Sequence, residues 1–368
     1  MARIDTTTVF DSFISTTVNE TLRANENTTR NRVTTAVGAL ILSLTFLIGV
    51  PGNAFIIWSI LARTRKHSIT TMLILNMAFA DGFLMALTII FIVYLAKRNW
   101  VFWNAGCQLL FYLCNANMYA SIMLIMLMSL HRLMAVVWPH RESAFTSKRI
   151  IRRLLLGFWI LVLVMAVPGY VFRGKAQVND TNESTREECI PIHPKSWHLI
   201  FHYLFETVVG FVIPYTIILA SYVCILRRLR QTKFRRRIRS ENLILIIVVT
   251  FCLFWLPYHI LNVLQVVIEM FWPKSSFKDT AQSCRFITAS LAFVSSSANP
   301  VLYTFAGKSY IHKNGLSFMA KLFEGTALDS ESRRNRKASR EPRDLALEER
   351  EADSSSTSAS INTEKNKI

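Results

Sequence analysis

The chain has 368 residues, of which 52% are hydrophobic, and its mean hydropathy is +0.31. This composition excludes an ordinary soluble globular protein, which carries a smaller apolar fraction. The formal net charge of +18 would also suit a nucleic-acid-binding protein. The basic residues stand at the ends of apolar stretches, however, so membrane topology accounts for them and no nucleic-acid partner is expected.

Seven long apolar stretches follow one another along the chain. A helix that crosses a bilayer needs roughly 20 mostly apolar residues, and the first stretch has no charged residue over 36–62. The pattern predicts an all-α membrane protein, a bundle of seven transmembrane helices in one domain, 33–306. The predicted spans are 33–62, 68–96, 105–137, 150–172, 197–226, 241–270 and 284–306.

Basic residues collect in alternate connections, and this pattern assigns those connections to the cytoplasmic side. The sequence therefore predicts an extracellular N-terminus and a cytoplasmic C-terminus. Glycosylation sequons lie on the side predicted to be extracellular and agree with this orientation. They begin at Asn19, Asn27, Asn179 and Asn182.

Polar segments flank the transmembrane domain. Residues 1–32 are rich in threonine and asparagine and are expected to be disordered. Residues 307–324 carry apolar residues and lysines in the pattern of a short amphipathic helix on the inner membrane surface. Residues 325–368 are predicted to form a disordered tail, either phosphorylated or solvated and unmodified. The candidate phosphorylation sites are Ser339, Ser354, Ser355 and Ser356.

Two of the six cysteines, Cys107 and Cys189, lie on the predicted extracellular side and outside helix interiors. Because that side is oxidising, we expect a disulfide between the third span and the second outer loop. Cys284, at the outer start of the seventh span, is the alternative partner.

One carboxylate, Asp81, lies inside the second span, where an ionised side chain needs a partner or a cation. Polar side chains at similar depth favour a sodium site, since hard cations prefer oxygen ligands. A protonated Asp81 that is hydrogen-bonded within the bundle is the alternative. The candidate ligands are Asn53, Asp81, Ser121, Ser295 and Asn299.

The seventh span ends in the motif Asn299-Pro300-Val301-Leu302-Tyr303. Its proline removes a helical hydrogen bond, and in lipid the freed carbonyl needs another partner. Taken alone, the motif also fits a kinked helix whose asparagine satisfies its own backbone. Further motifs accompany it on the other spans, namely Gly52-Asn53, Asp81, Cys107, Arg132, Trp159, Pro214 with Tyr222, and Phe251 to Pro257.

In this order the motifs make the chain similar to the rhodopsin-like (class A) G-protein-coupled receptors over residues 33–324. The resemblance implies a seven-helix receptor with a toggle residue beneath the ligand pocket and a switch at the cytoplasmic end. The residues to which it assigns these roles are Ile122, His131, Arg132, Pro214, Tyr222, Phe251, Trp255, Pro257, Asn299, Pro300 and Tyr303.

His131 departs from the pattern of this family, which has an acidic residue before the arginine of the third span. A neutral histidine cannot hold Arg132 by the charge-assisted contact that an aspartate would make. We therefore expect raised basal signalling. A histidine that packs there without consequence is the alternative.

The outer half of the third span carries no acidic residue, where amine receptors of this family have an aspartate, so a biogenic amine is not expected. Arg173 and Arg285 lie at helix mouths and suit a ligand carboxylate. The alternative is that their side chains extend to the lipid headgroups. The aromatic and aliphatic walls of the predicted pocket suit an acyl chain. The candidate ligand-binding residues are Tyr94, Arg173, His202, Glu206, Tyr258, His259, Asn262 and Arg285.

Stretches such as NMYASIMLIMLMSLHR and FWLPYHILN resemble the leukotriene B4 receptors. This resemblance implies a dihydroxy fatty acid ligand, an inhibitory-type heterotrimeric G protein, and no enzymatic activity. Arrestin, receptor kinases and membrane lipids are the other expected partners, and the plasma membrane is the expected location. A receptor for a formylated peptide or another oxidised fatty acid is the alternative. A transporter is more remote, since no inverted repeat with broken helices is evident.

Overall fold

The computed structural model of the chain describes residues 6–63, 68–137, 148–179, 185–231, 238–273, 275 and 277–306, with side chains for most residues from Val33 to Leu302. Helices dominate because a helix satisfies its backbone hydrogen bonds within one segment, as a lipid environment requires. They are α1 (Thr6–Arg63), α2 (Ile69–Lys97), α3 (Asn104–Val137), α4 (Lys148–Met165), α5 (Val167–Val171), α6 (Ser196–Thr207), α7 (Ile213–Gln231), α8 (Ile238–Phe271) and α9 (Phe277–Ala306).

Six helical segments of the described chain are long and apolar enough to cross a membrane. A π-helical turn, Val208–Val212, joins α6 to α7, so these two helices form one span. The last span, α9, has a shorter apolar stretch, Ile287–Leu302, because its serines and asparagine face the bundle interior. The predicted bundle of seven membrane-crossing helices is confirmed, with α5 as a short continuation of the fourth.

Some helix limits differ from the predicted ones. α1 begins at Thr6, within the segment 1–32 that was expected to be disordered. Extending an existing helix requires no new nucleation step, so a polar segment can continue the helix of an apolar span. The fourth span breaks at Ala166, two residues before Pro168, whose missing N–H is tolerated only in a first helical turn.

Several predicted features lie outside the described residues and stay predictions. The amphipathic segment 307–324 and the tail 325–368 are among them. So are Asn182, Ser339, Ser354, Ser355 and Ser356, and the side chains of Asn19, Asn27, Asn179 and Tyr303.

An antiparallel hairpin of two strands lies at one end of the bundle, which we call the hairpin end. Strand β1 (Arg173–Asn179) pairs with strand β2 (Thr185–Pro191). The predicted disulfide between Cys107 and Cys189 joins β2 to the start of α3, whereas Cys284 is free. The hairpin is therefore covalently attached to the most central helix of the bundle.

Hydrogen bonds fix the same hairpin to the connection between α2 and α3. The backbone N–H of buried Trp100 donates to the Glu187 carbonyl at 2.7 Å. The N–H of Glu187 donates to Asn99 Oδ1 at 2.7 Å, and the N–H of Lys175 donates to Asn104 Oδ1 at 2.8 Å. The strand edges thus obtain partners, and Arg173 at the start of β1 is held in place.

Helix α3 supplies the centre of the core. Met118, Ile122 and Ile125 on this helix are at most 1% exposed. Close helix contacts surround this core where glycines remove side-chain bulk. At Gly52 of α1, an added Cβ would lie 2.8 Å from Pro300 Cβ, whereas Gly157 of α4 has nothing within 4 Å of the same position. The α1–α9 contact therefore requires glycine at 52.

We predict that Gly52→Ala lowers the unfolding free energy of the purified receptor by about 1–3 kcal/mol, because overpacking would separate α1 from α9. The matched variant Gly157→Ala should be neutral or stabilising by up to about 1 kcal/mol, since alanine favours helix and meets no neighbour there. Thermal unfolding in detergent measures both. Equal melting temperatures for the two variants would contradict the packing argument.

Candidate functional site

The π-helical turn in the fifth span sets which residues of α6 face the interior. Gly210 within this turn allows close approach to α3, since an added Cβ would lie 3.0 Å from Met118 and Tyr119 atoms. The extra residue of a π turn changes the helix rotation on its two sides. The inward-facing residues of α6 are His202, Tyr203, Glu206 and Thr207, all at most 8% exposed.

Glu206 is the buried carboxylate of the site, 2% exposed. The Tyr258 hydroxyl donates to its two oxygens at 3.1 and 3.2 Å, and Asn262 Nδ2 donates to Oε2 at 2.9 Å. Both donors lie on α8, one turn apart, so they reach the same carboxylate. Neutral donors therefore hold Glu206 in place without a direct ion pair among the described residues.

Arg285 on α9 completes this arrangement. Its Nη2 donates to Asn262 Oδ1 at 2.7 Å and to Gln265 Oε1 at 2.6 Å. Its guanidinium also lies 4.2 Å from the centre of the Tyr203 ring. Asn262 thus links Arg285 to Glu206. We call this set the arginine network, and its members are Tyr203, Glu206, Tyr258, Asn262, Gln265 and Arg285.

Sequence reasoning did not include Tyr203 or Gln265 among the ligand-binding residues. Gln265 follows Tyr258 and Asn262 at helical spacing, so one face of α8 carries all three. This helical spacing is the sequence signal that places Gln265 on the same face as the two predicted residues. No sequence signal identifies Tyr203, because its contact with Arg285 is made across the bundle.

Arg173 is the second guanidinium of the site, and it differs from Arg285. It lies over the Phe111 ring at 3.3 Å from the ring centre, a cation–π contact. The described part of the chain gives it no hydrogen-bond acceptor and no ion-pair partner. Burial lowers the pKa of Arg173 to about 10, so it is still protonated at neutral pH. A buried, charged group of this kind is available to an anion.

Histidines surround Phe172, next to Arg173. His193 Nε2 and His202 Nδ1 are 3.0 Å apart, so one donates to the other. The rings of His193, His198 and His202 lie 5.2–5.5 Å from the Phe172 ring. Burial, and then the positive charge of Arg285, lowers the pKa of His193 to about 4. This histidine is therefore neutral at physiological pH.

The two remaining ligand candidates lie apart from the arginine network. Tyr94 packs against Trp100, with ring centres 5.2 Å apart, in a separate aromatic cluster under the hairpin. His259 Nδ1 lies 3.3 Å from Thr207 Oγ1, and its ring is 4.7 Å from that of Phe211. Of the predicted set, hydrogen bonds join Glu206 to Tyr258 and Asn262 of α8, and Asn262 in turn to Arg285 of α9.

Asp81 forms a second polar centre in the middle of the bundle and is fully buried. Ser121 Oγ donates to Oδ1 at 3.1 Å, and Asn117 Nδ2 donates to the same oxygen at 3.3 Å. Asn299 Nδ2 donates to Oδ2 at 2.7 Å. We call this set the Asp81 centre. It joins α2, α3 and α9.

The structure corrects one predicted member of this centre. Ser295 donates to the Ala292 carbonyl at 2.8 Å and accepts from Trp255 Nε1 at 2.9 Å, so it faces Trp255 rather than Asp81. The neighbouring Ser296 faces the centre instead, where its hydroxyl accepts from Asn117 Nδ2 at 3.2 Å. Adjacent residues of a helix point about 100° apart, which explains the exchange. Asn117 was missed, although it precedes Ser121 by one helical turn.

The Asp81 centre has the chemistry of a site for a hard cation. The Oδ1 atoms of Asn53 and Asn117 are buried and have no hydrogen-bond partner within the described chain. Asn53 Nδ2 meanwhile donates to the Gly49 carbonyl at 3.0 Å. Two free amide oxygens and a carboxylate fit Na⁺. Within the described residues, no group of three or more His, Cys, Asp or Glu could hold a metal ion.

Trp255 connects the arginine network with the Asp81 centre. Its ring is 5.7 Å from the Tyr258 ring and 5.5 Å from the Phe251 ring, while its N–H reaches Ser295. Ile122 and Phe251 are both buried in the core beneath it. Each of the last three spans contains a proline. Pro214 follows the π turn of the fifth span, and Pro257 and Pro300 lie inside α8 and α9.

The predicted switch residues His131 and Arg132 lie half-buried in the last turns of α3, at the end opposite the hairpin. Tyr222 of α7 is also half-buried and packs against the main core. The Tyr303 side chain lies outside the described residues, so its contact with this group stays a prediction.

We predict that the receptor loses thermal stability as the pH falls from about 6.5 towards 4, partly through His193. The unfolded chain binds a proton near the ordinary histidine pKa of 6.5, whereas folded His193 binds one only near 4. His193→Gln keeps a hydrogen-bonding side chain but cannot titrate, so its melting temperature should depend less on pH. An unchanged pH dependence in this variant would contradict the burial argument.

Comparison with known proteins agrees with this architecture. A family profile, the 7 transmembrane receptor (rhodopsin family), matches residues 52–303. Leukotriene B4 receptor 1 of Homo sapiens is 39% identical over 298 residues, which cover 80% of this chain and 84% of that protein. Leukotriene B4 receptor 2 of Rattus norvegicus is 35% identical over 316 residues, 84% and 86% of the two chains. The Type-1 angiotensin II receptor A of Xenopus laevis is 27% identical over 287 residues, 74% and 76% of the two chains. This multi-pass membrane protein therefore belongs to the rhodopsin family of seven-transmembrane receptors, and it is a receptor rather than an enzyme.

Proposed function

We propose that the chain is a G-protein-coupled receptor for an extracellular lipid mediator, leukotriene B4 or a dihydroxy fatty acid very similar to it. The observation that carries this proposal is Arg173, a buried guanidinium without a counter-ion in the described chain. Several relatives are named leukotriene B4 receptors, and each matches most of this chain. Their names support the ligand class.

The polar groups of the site suit a ligand with one carboxylate and separate hydroxyl groups. Arg173 binds the carboxylate, because a guanidinium offers paired donors to two oxygens. Glu206, Tyr258 and Asn262 offer acceptors and donors for hydroxyl groups, although each already has a partner. A ligand hydroxyl that takes the place of one of these partners forms a hydrogen bond whose direction the remaining contacts determine. Phe111 and Phe172 supply apolar surface for the acyl chain.

Ligand binding would act on the receptor through Tyr258 and Trp255. Tyr258 belongs to the arginine network, and its ring contacts Trp255 edge-on. Trp255 in turn donates to Ser295, the neighbour of Ser296, whose hydroxyl accepts from Asn117 of the Asp81 centre. A ligand that favours one position of Tyr258 therefore biases a two-state bundle. A sodium ion at the Asp81 centre, held by the free oxygens of Asn53 and Asn117, would favour one of the two states.

We further propose the orientation and partners that follow from this role. The hairpin end faces the outside of the plasma membrane, with an extracellular N-terminus and a cytoplasmic C-terminus. Arg132 then lies at the cytoplasmic end, where an inhibitory-type heterotrimeric G protein docks. Receptor kinases and arrestin act on the tail. The alternation of basic connections along the sequence supports this orientation.

We expect Arg173→Ala to weaken the response to leukotriene B4 by about 30-fold or more, since removing one partner of a buried charge pair costs about 2 kcal/mol or more. Lys175→Ala is the matched control. Lys175 lies on the same strand, but it pairs with Glu187 at 2.8 Å on the partially exposed hairpin. Concentration–response curves for G-protein activation, with surface expression measured, give the comparison.

Equal potency of leukotriene B4 at the two variants would contradict the proposal that Arg173 binds the ligand carboxylate. A wider screen tests the ligand class itself, using leukotriene B4, other hydroxylated fatty acids and formylated peptides on the native receptor. A response to the peptides, with silence to every fatty acid, would replace the proposed ligand.

His131→Asp should lower signalling in the absence of ligand. An aspartate would restrain Arg132 by a charge-assisted hydrogen bond, which contributes about 1.5–3 kcal/mol. The population of the resting state relative to the active state would therefore rise about tenfold or more. Basal G-protein activation at equal surface expression measures this. His131→Asn, which is uncharged, should retain most of the native basal level. If His131→Asp signals as much as the native chain, the histidine has no such role.

A further inference from the structure

A cavity of about 310 Å³ lies beside the arginine network at the hairpin end. It separates the first turns of α6 from the last turns of α8, and residues of the segment 191–195 also line it. This volume is at the lower limit of pockets that bind small molecules. Its helical walls are formed by Lys195, Ser196, Leu199, Gln265, Ile268 and Glu269.

The two walls of this cavity, which we call the α6–α8 cavity, carry opposite charges. Lys195 provides an ammonium group on one wall, and Glu269 provides a carboxylate on the other. Ser196 Oγ donates to Glu269 Oε1 at 2.6 Å and fixes the carboxylate. Helix α6 also begins here, and its N-cap Lys195 makes no side-chain capping bond. The positive end of the helix therefore adds to the attraction for an anion near Lys195.

The α6–α8 cavity lies at the depth of lipid headgroups. Trp197 and Trp272 flank it and are 59% and 62% exposed. Tryptophan side chains concentrate where the apolar layer of a membrane meets the headgroups. Leu199 lies one turn farther into the span, and the exposed face of α6 continues with Phe201 and Leu204. An occupant can therefore place a polar group in the cavity and an alkyl chain along α6.

We propose that the α6–α8 cavity binds the headgroup of a zwitterionic phospholipid from the membrane leaflet at the hairpin end. The phosphate lies against Lys195 and the start of α6, and the ammonium lies against Glu269. A headgroup with only negative charge would approach the Glu269 carboxylate with a like charge. A cationic amphiphile would meet Lys195. The zwitterion satisfies both walls at once.

The bound headgroup would also affect ligand binding, because the cavity and the arginine network share two residues. Tyr203 and Gln265 line the cavity, and both contact Arg285. A phospholipid that holds these two side chains in place reduces the ordering that a ligand at Arg285 must impose. We expect agonist affinity to rise by about fivefold when the cavity is filled, a typical coupling between two sites.

Native mass spectrometry of the purified full-length receptor tests the proposal. The receptor is titrated with phosphatidylethanolamine, phosphatidylglycerol or water-soluble phosphoethanolamine in one detergent. We expect retained phosphatidylethanolamine, with about fivefold less bound to Lys195→Ala and to Glu269→Gln, the upper end of what a partly exposed charge pair contributes. Lys97→Ala is the matched control, because Lys97 is an exposed lysine at the same end of the bundle.

Equal retention of phosphatidylglycerol and phosphatidylethanolamine would overturn the assignment, and so would unchanged binding in Glu269→Gln. A loss in Lys97→Ala as large as in Lys195→Ala would show nonspecific attraction and also overturn it. Binding of phosphoethanolamine at the same concentration would identify a soluble ligand instead of a lipid. Melting temperatures confirm that each variant is folded, and Glu269→Gln, which preserves the size of the side chain, keeps the test valid if Lys195→Ala fails to fold.

Discussion

Asp81 has to be satisfied within the helix bundle, because a bilayer offers no water to a carboxylate at this depth. Asn117, Ser121 and Asn299 meet this need from two other helices. Helices in lipid gain little from apolar contact alone, so packing and interhelical hydrogen bonds determine their arrangement. The Asp81 centre therefore specifies how α2, α3 and α9 face one another. The predicted switch residues and the proposed ligand site occupy positions that follow from this arrangement.

At the hairpin end, the same constraint gives a site in which positive and negative charges are unequal in number. Glu206 and Arg285 are satisfied mainly by neutral amide and phenol groups, which also link them to each other. Arg173 lies over the Phe111 ring and has no anionic partner among the described residues. Even with Glu206 ionised, two guanidinium groups face one carboxylate, so the site has an excess positive charge. An anionic, largely apolar ligand removes this excess, and the disulfide-anchored hairpin holds Arg173 where such a ligand would meet it.

The sequence alone predicted the seven spans, the disulfide and two carboxylates inside the spans, Asp81 and Glu206, because lipid makes apolar length and buried charge conspicuous. It did not predict helix rotation. Ser295 and Ser296 are adjacent, and only the structure shows that Ser296 contacts Asn117 of the Asp81 centre whereas Ser295 contacts Trp255. The π turn at Val208–Val212 adds one residue to the fifth span and changes which side chains of α6 point inward. Tyr203 and Gln265 likewise gain their roles from contacts across the bundle.

The central claim is that a ligand carboxylate neutralises Arg173 and completes the charge balance of this site. The most direct measurement compares equilibrium binding of leukotriene B4 with that of its methyl ester to the purified receptor. The ester keeps the hydroxyl groups and the acyl chain but carries no charge. The account predicts that the acid binds at least about 30-fold more tightly than the ester, the difference expected for a buried charge pair. Equal affinity of the two ligands would contradict it.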